Sequence, residues 1–297
     1  YDADYAVNIT VTSATTGLLI PPSHNMIIYA IAGGGGISIA SLFLAGIVPG
    51  LLLGGGLMLV AYLVAVKRGY PAGKFPGWAV ILRSFFEVLP GMFSTLIILG
   101  GILSGVFTAT ESSAIAVIYT VLIATLVYRS LSWDGFVQAA ISASKTTALV
   151  LLIIGTAAAF GWLLAVTEVP LRLSEALLGV SDNPLVIFLL INLMLLMLGT
   201  FMDMSPLIII TTPILLPVVV GLGMDPVQFG IMLILNLGMG LVTPPVGSVL
   251  FVGCAIGGIR IEDTIKSILP FYLAFVVTLA LVTYVPATTM FLPSLFE

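Results

Sequence analysis

Three short stretches hold the residues of this chain best suited to chemistry inside apolar segments. The first is Gly199-Thr200-Phe201-Met202-Asp203-Met204-Ser205-Pro206. The second is Gly240-Leu241-Val242-Thr243-Pro244-Pro245, and the third is Thr16-Gly17-Leu18-Leu19-Ile20-Pro21-Pro22. Asp203 is the sole formal charge between Asn183 and Gly223. A carboxylate at membrane depth is costly to hold, which points to a cation or substrate site. The bland alternatives are a solvated loop, or a cap on a helix starting near Pro206, where Ser205 and the proline suit a first turn. Each Pro-Pro pair removes backbone donors and clashes one turn back, so a helix stops there. A helix ending near Val242 presents free carbonyls that suit Na+, and one starting near Pro245 presents N–H groups that suit a carboxylate. Gly240, Thr243 and Ser248 are small oxygen-bearing or backbone-exposing positions fit for hard cations. Ser13, Thr16, Gly17, Pro22, Ser23 and Asn25 stand around the other break. The competing reading of either break is a proline kink that only packs helices.

The elements that must position these residues are membrane helices. The chain is 60% hydrophobic and 7% charged, whereas soluble domains carry about 25% charged residues. A soluble fold is excluded, and an all-α polytopic membrane protein is expected, embedded in a lipid bilayer. Spans of about 20 apolar residues are read at 43–66, 86–107, 112–128, 147–166 and 268–290. Two broken elements run over 5–32 and 227–257. In 184–220 two arms of about 17 residues flank Gly199 to Pro206, short for two full crossings; a re-entrant hairpin with Asp203 at its tip is expected.

Sliding the chain on itself by 223 residues carries Pro21 onto Pro244 and Pro22 onto Pro245. The same offset carries Gly17 onto Gly240, Gly34 onto Gly257 and Gly35 onto Gly258. That density of shared Gly and Pro marks an internal repeat. Lys67, Arg68, Lys74, Arg83, Arg129 and Lys145 fall on one side by parity of the spans, which the positive-inside rule makes cytoplasmic. Residues 33–42 then lie outside, while their repeat equivalents, with Arg260 and Lys266, lie inside. The two copies therefore face opposite ways, as in transporters with inverted repeats. The resulting organisation is 1–66 as the second half of repeat 1, 67–83 as a cytoplasmic loop, and 84–297 as repeat 2. If the repeats are of similar length, about 140 residues of repeat 1 are expected upstream of Tyr1.

Other features are weaker. His24 follows the first break, but its repeat equivalent is Gly247, so a structural hydrogen bond is expected of it rather than a proton relay. Glu111 fits a helix cap in Thr108-Ala109-Thr110-Glu111. Trp78, Arg83 and Glu87 read as interface residues. Residues 131–144 read as an amphipathic helix lying on the membrane. Cys254 is the only cysteine and reads as a small packed residue. The runs Gly33–Gly36 and Gly54–Gly56 lack the context of a phosphate loop, and the second suits close helix packing. No nucleophile, base and metal set points to an enzyme, and no nucleic-acid partner is indicated.

Taken together, Ser13-Ala14-Thr15-Thr16-Gly17-Leu18-Leu19-Ile20-Pro21-Pro22-Ser23, Gly105-Val106-Phe107-Thr108-Ala109-Thr110-Glu111, Gly199 to Pro206 and Gly240-Leu241-Val242-Thr243-Pro244-Pro245-Val246-Gly247 resemble the large membrane subunit of TRAP transporters. These are the tripartite ATP-independent periplasmic transporters, and the match is to the DctM or SiaM type within the ion-transporter superfamily. The resemblance covers essentially the whole chain, but the first hairpin of the family has no counterpart in it. It implies a Na+-coupled importer of organic acids in the bacterial inner membrane. A periplasmic substrate-binding protein and a small TRAP membrane subunit would be its partners, and the transport part would move elevator-like. It places Gly199, Asp203, Ser205, Gly240, Thr243 and Pro244 around the second-repeat Na+ and substrate site. Ser13, Gly17, Pro22, Ser23 and Asn25 would belong to the first-repeat half-site. The rivals are a single-component Na+/carboxylate symporter or Na+/H+ antiporter of the same superfamily, and an ion channel, which saturable uptake at fixed stoichiometry would exclude.

Overall fold

The computed structural model describes every residue except Ala72, Lys74, Asp182 and Glu297, and omits the side chains of Ala157, Ala165, Pro170, Leu173, Ser174, Leu177 and Leu178. The described residues form helices and connections, with no strand. Seven helices are long and apolar enough to cross a membrane.

Contacts divide the chain into two compact units, Tyr1–Tyr70 with Ile153–Glu297, and Pro71–Leu152. The smaller unit holds α4 (Trp78–Leu103), α5 (Ala109–Leu122, continued by a π-helical turn over Ile123–Val127) and the start of α6 (Trp133–Val166). Helices α4 and α5 form a hairpin, tied where Tyr119 and Tyr128 donate their hydroxyls to the carbonyls of Pro90 and Glu87, both at 2.9 Å. Helix α5 opens on a capping box: Thr108 Oγ1 accepts from the Glu111 N–H, and the Glu111 carboxylate accepts from the Thr108 N–H. This is the role expected of Glu111.

Helix α6 departs from expectation. The separate surface helix over 131–144 and the span over 147–166 form one helix of 34 residues, about 51 Å at 1.5 Å per residue. No proline interrupts the join, and its hydroxyls fold back on their own helix. Ser144 donates to the Ala140 carbonyl at 2.8 Å and Thr146 to the Ser142 carbonyl at 3.1 Å, so these polar side chains do not compete with the helix.

The larger unit contains the two broken elements. Helices α1 (Ala3–Thr16), α2 (His24–Ala32) and α3 (Ile39–Lys67) form one set. After α7 (Val169–Leu178) come the hairpin helices α8 (Pro184–Phe201) and α9 (Met204–Gly221). Then α10 (Pro226–Leu241), α11 (Ser248–Gly257) and α12 (Ile261–Tyr284) form the second set, followed by the short α13 (Ala287–Met290) and α14 (Pro293–Phe296). The helix starts follow local chemistry. Asn183 Oδ1 accepts from the Leu185 N–H at 3.0 Å and Asp225 Oδ1 from the Val227 N–H at 2.7 Å, each ahead of a proline at the first helical position.

Contacts fix the directions of these helices. Helix α1 runs antiparallel to α3, because Tyr5 donates to the Ala61 carbonyl while Thr16 packs on Gly54 and Leu19 on Gly46. It runs parallel to α12, with Asn8 on Thr264 and Ser267 and its last turns beside Phe271. Hence α3 and α12, equivalent in the repeat, are antiparallel. Helix α10 in turn runs antiparallel to α12, with Gln228 at Val282 and Val242 at Tyr272. The relation α10 to α12 therefore reproduces α1 to α3 upside down, which is the inverted arrangement. Each first half-helix also packs on the other set's second half-helix: Val7 and Val11 fill the spaces at Gly257 and Gly253, and Tyr29 fills the space at Gly230.

Candidate functional site

Helix α10 ends and α11 begins on either side of residues 242–247, and the hairpin tip meets the chain there. A Cβ added to Gly240 would lie 2.6 Å from the Gly199 carbonyl carbon, so the two glycines permit backbone-to-backbone approach. The Gly247 N–H donates to the Thr200 carbonyl at 3.2 Å, joining tip and break directly. Gly247 has a positive φ of 43° in a tight turn over the Thr243 carbonyl, a conformation glycine adopts without penalty. Thr243 returns its hydroxyl to the Met239 carbonyl at 2.7 Å, and Tyr272 donates to the Val242 carbonyl at 2.8 Å. Gly199, Gly240, Thr243 and Pro244 are thus brought to one junction. Asp203 is exposed and precedes α9 at the N-cap position without a side-chain cap bond, so its carboxylate stays free of the helix; Ser205 is half-buried in the first turn.

The first break shares one backbone feature with the second: Pro21–Pro22 and Pro244–Pro245 are both cis. Its surroundings differ. The linker leans on α3, where the Leu19 carbonyl lies over Gly46 and a Cβ on Gly50 would sit 2.7 Å from Ile20. Gly17 and Pro22 are exposed, while Ser23 and Asn25 are buried. Ser23 Oγ and Asn25 Oδ1 have no hydrogen-bond partner among the described residues. Buried oxygens left without a donor fit a hard cation, which supplies what a donor would. Ser13 is exposed one turn before the break and donates its hydroxyl to the Thr10 carbonyl. His24 is exposed at the start of α2 and makes no hydrogen bond among the described residues, so the structural bond expected of it is not observed. The two breaks approach each other where Leu18 and Thr15 meet Gly238 on α10.

The end of α1 remote from its break is held by charge. Arg68 bonds Asp4 at 2.8 Å and Asp2 at 3.0 Å, Tyr70 donates to Asp2 at 2.7 Å, and the guanidinium lies over the Tyr5 ring. The Arg68 guanidinium holds the Asp4 carboxyl down at about 2. Cys254, on α11, is buried.

Sequence reasoning missed several partners in this geometry. Thr200 and Gly247 act through backbone groups, which leave little trace in residue type. Gly46, Gly50 and Gly54 recur every four residues on α3, and that spacing was a readable signal for close approach. Asn192 and Asn236, amides within long apolar runs, were readable as well. No cluster of three or more His, Cys, Asp or Glu exists among the described residues; the oxygens at both breaks are instead carbonyls, hydroxyls and amides.

An all-α inverted pair of broken helices with a hairpin tip docked at one break defines a membrane transporter. The comparisons with known proteins agree. The family described as tripartite ATP-independent periplasmic transporter, DctM component, matches residues 1–288. Among similar proteins, YgiK of Salmonella typhimurium, itself uncharacterized, is 44% identical over the whole chain and 68% of its own length. The sialic acid TRAP transporter large permease SiaM of Vibrio cholerae is 40% identical over the whole chain and 69% of its own length. The C4-dicarboxylate TRAP transporter large permease DctM of Pseudomonas aeruginosa is 37% identical over 99% of the chain and 68% of its own length. The chain belongs to the DctM family of TRAP transporter large permeases. It is a multi-pass protein of the bacterial inner membrane and a transport component, not an enzyme.

Proposed function

We propose that this chain is the large membrane subunit of a Na+-coupled importer of small organic acids, of the sialic acid or C4-dicarboxylate class. A periplasmic substrate-binding protein delivers the acid, and a small membrane subunit supports the large one. The observation that carries this reading is the junction of hairpin tip and broken helix, with Gly199 on Gly240 and the Gly247 N–H on the Thr200 carbonyl. Carbonyls freed at the end of α10, with Thr243, Ser205 and the Asp203 carboxylate, offer oxygens to Na+. The N-termini of α9 and α11 offer positive dipole ends to a substrate carboxylate. At the other break Ser13, Gly17, Pro22, Ser23 and Asn25 make the second half-site, with Ser23 Oγ and Asn25 Oδ1 as its free buried acceptors. The part carrying both breaks moves elevator-like between the two faces of the membrane. The relatives named for sialic acid and for C4-dicarboxylates support the substrate class.

The test is uptake of a panel of labelled organic acids into proteoliposomes holding the complete transporter, with and without the binding protein and a Na+ gradient. Uptake is expected only with both. Asp203→Ala and Thr243→Ala are each expected to raise the Na+ concentration for half-maximal uptake. Wild-type Na+ dependence in both variants would sink the site assignment, and uptake by the large subunit alone would sink the tripartite reading.

A further inference from the structure

Helix α8 packs on α10 in an apolar surrounding: Leu237 lies at Gly199 and Met232 beside Asn192, and Ile191 and Leu195 on α8 and Leu233 on α10 are buried. Two amides interrupt this surface. Asn236 Nδ2 donates to both the backbone carbonyl and Oδ1 of Asn192, at 2.9 and 2.8 Å. Asn192 Nδ2 in turn donates to Thr283 Oγ1 on α12 at 3.2 Å and to the Phe188 carbonyl at 2.9 Å. Asn236 is fully buried, and its own Oδ1 has no partner.

A buried amide with an orphaned oxygen is a poor device for stability, since the unpaired acceptor carries its full desolvation cost. Buried polar pairs in apolar helix interfaces are best attested as setters of register. Register matters at this interface. Gly199 lies seven residues beyond Asn192, and Gly240 four beyond Asn236, where the helices close on each other. Leucine-rich faces tolerate a slip of one turn, about 5.4 Å. Such a slip would take Gly199 off Gly240 and bring it against a side chain at Asn236 or Thr243. The amide pair tolerates no such slip, because both Asn236 N–H groups are committed to one residue.

We propose that Asn192 and Asn236 are positioning residues, a register lock that sets how deep the α8–α9 hairpin seats on α10 and so holds its tip at the break. Thr283 fixes the Asn192 amide from α12. The inference rests on the proposed cation site at the tip, in that the Na+ dependence of uptake is its readout.

The test is the double variant Asn192→Leu/Asn236→Leu in the complete transporter, assayed for thermal stability and for initial uptake across Na+ concentrations. The apolar pair, equal in heavy-atom count and free of buried amides, is expected to keep or raise the unfolding temperature. It is expected to raise the half-saturating Na+ concentration on the order of tenfold, with maximal uptake at saturating Na+ little changed. A merely structural pair would lower stability and maximal uptake together and leave half-saturation where it was; that result overturns the proposal. Thr283→Val, which removes one bond only, is expected to shift half-saturation about two- to threefold. It decides the matter if the double variant does not fold, and unchanged half-saturation in a folded Thr283→Val protein would then count against the lock. If Asp203→Ala and Thr243→Ala shift Na+ dependence while the amide variants do not, the lock alone fails. If none of them shifts it, the site reading fails first.

Discussion

Among the described residues, the second break meets the tip of the α8–α9 hairpin, and the first leans on α3 of its own repeat. At the second, glycine meets glycine across two elements, and a backbone hydrogen bond from Gly247 to Thr200 completes the contact. At the first, Leu19 and Ile20 lie along Gly46 and Gly50 of α3, and two buried oxygens, on Ser23 and Asn25, have no partner among the described residues. Past a two-residue gap in the repeat, which sets Pro49 of α3 against Pro270 of α12, the positions equivalent to Gly46 and Gly50 are Ser267 and Phe271, which have other work. Ser267 receives the Asn8 amide, and Phe271 is buried in the core. The same signature of glycine, two prolines and a second half-helix thus meets glycines on two different elements, Gly199 at the hairpin tip and Gly46 and Gly50 on α3.

That contrast can be broken by substitution. The largest effect is expected from Gly240→Ala. Its Cβ has only the Gly199 backbone to displace, and overpacking of about 1–3 kcal/mol corresponds to about tenfold or more in seating of the tip. Uptake should fall accordingly, measured with saturating binding protein. If uptake is unaltered, the glycine contact does not hold the tip. Gly46→Ala is the matching probe of the first break. The Leu19 carbonyl and the Met26 side chain occupy the space its Cβ needs, so about 1–3 kcal/mol of stability should be lost. A thermal-unfolding curve that overlays the wild type would show that the linker does not lean on α3.

A smaller effect is expected at the far end of α1. Arg68→Ala removes a partly exposed pair of ion contacts and a ring contact, about 1 kcal/mol. The Asp4 carboxyl is depressed to about 2 by Arg68. A depressed carboxyl contributes stability above its unfolded pKa, near 4, and that contribution fades as pH falls towards 2. The difference between wild type and Arg68→Ala in unfolding temperature should therefore be full at pH 6 and shrink between pH 4 and pH 2. A pH-independent difference would mean the ion contacts are not its source. The smallest effect belongs to Tyr272→Phe, which frees the Val242 carbonyl at a cost of about 0.5–1.5 kcal/mol. Its repeat equivalent, Leu51, is exposed and has no such bond, so Leu51→Ala should be near neutral. Equal losses at the two positions would argue against a tether special to the second break.

Much of this arrangement was legible in residue types. Pro-Pro after a glycine announced each break, and the offset of 223 residues between Pro21 and Pro244 announced the repeat. Inversion followed from the basic loops, and the helix directions agree with it. Asn183, Thr108 and Asp225 mark helix starts because a side-chain oxygen next to free N–H groups is a local matter. The rest depends on partners far apart in the chain. That Gly240 faces Gly199, or that Gly46 receives Leu19, follows from tertiary packing that no local pattern encodes. The join within α6 is not legible in composition, which reads as an amphipathic surface helix over 131–144 and a separate span over 147–166. Ser144 and Thr146 bond back into the helix, so composition changes there while conformation does not.

The solitary cysteine has a practical meaning for studying motion. Cys254 is the chain's one thiol and is buried. A single cysteine placed at Ser13, Gly17 or Ser248, all of them exposed, would take up a membrane-impermeant thiol reagent against a nearly silent background. Labelling from each side of the membrane, with and without Na+, would then track which break faces which compartment without first removing a native residue.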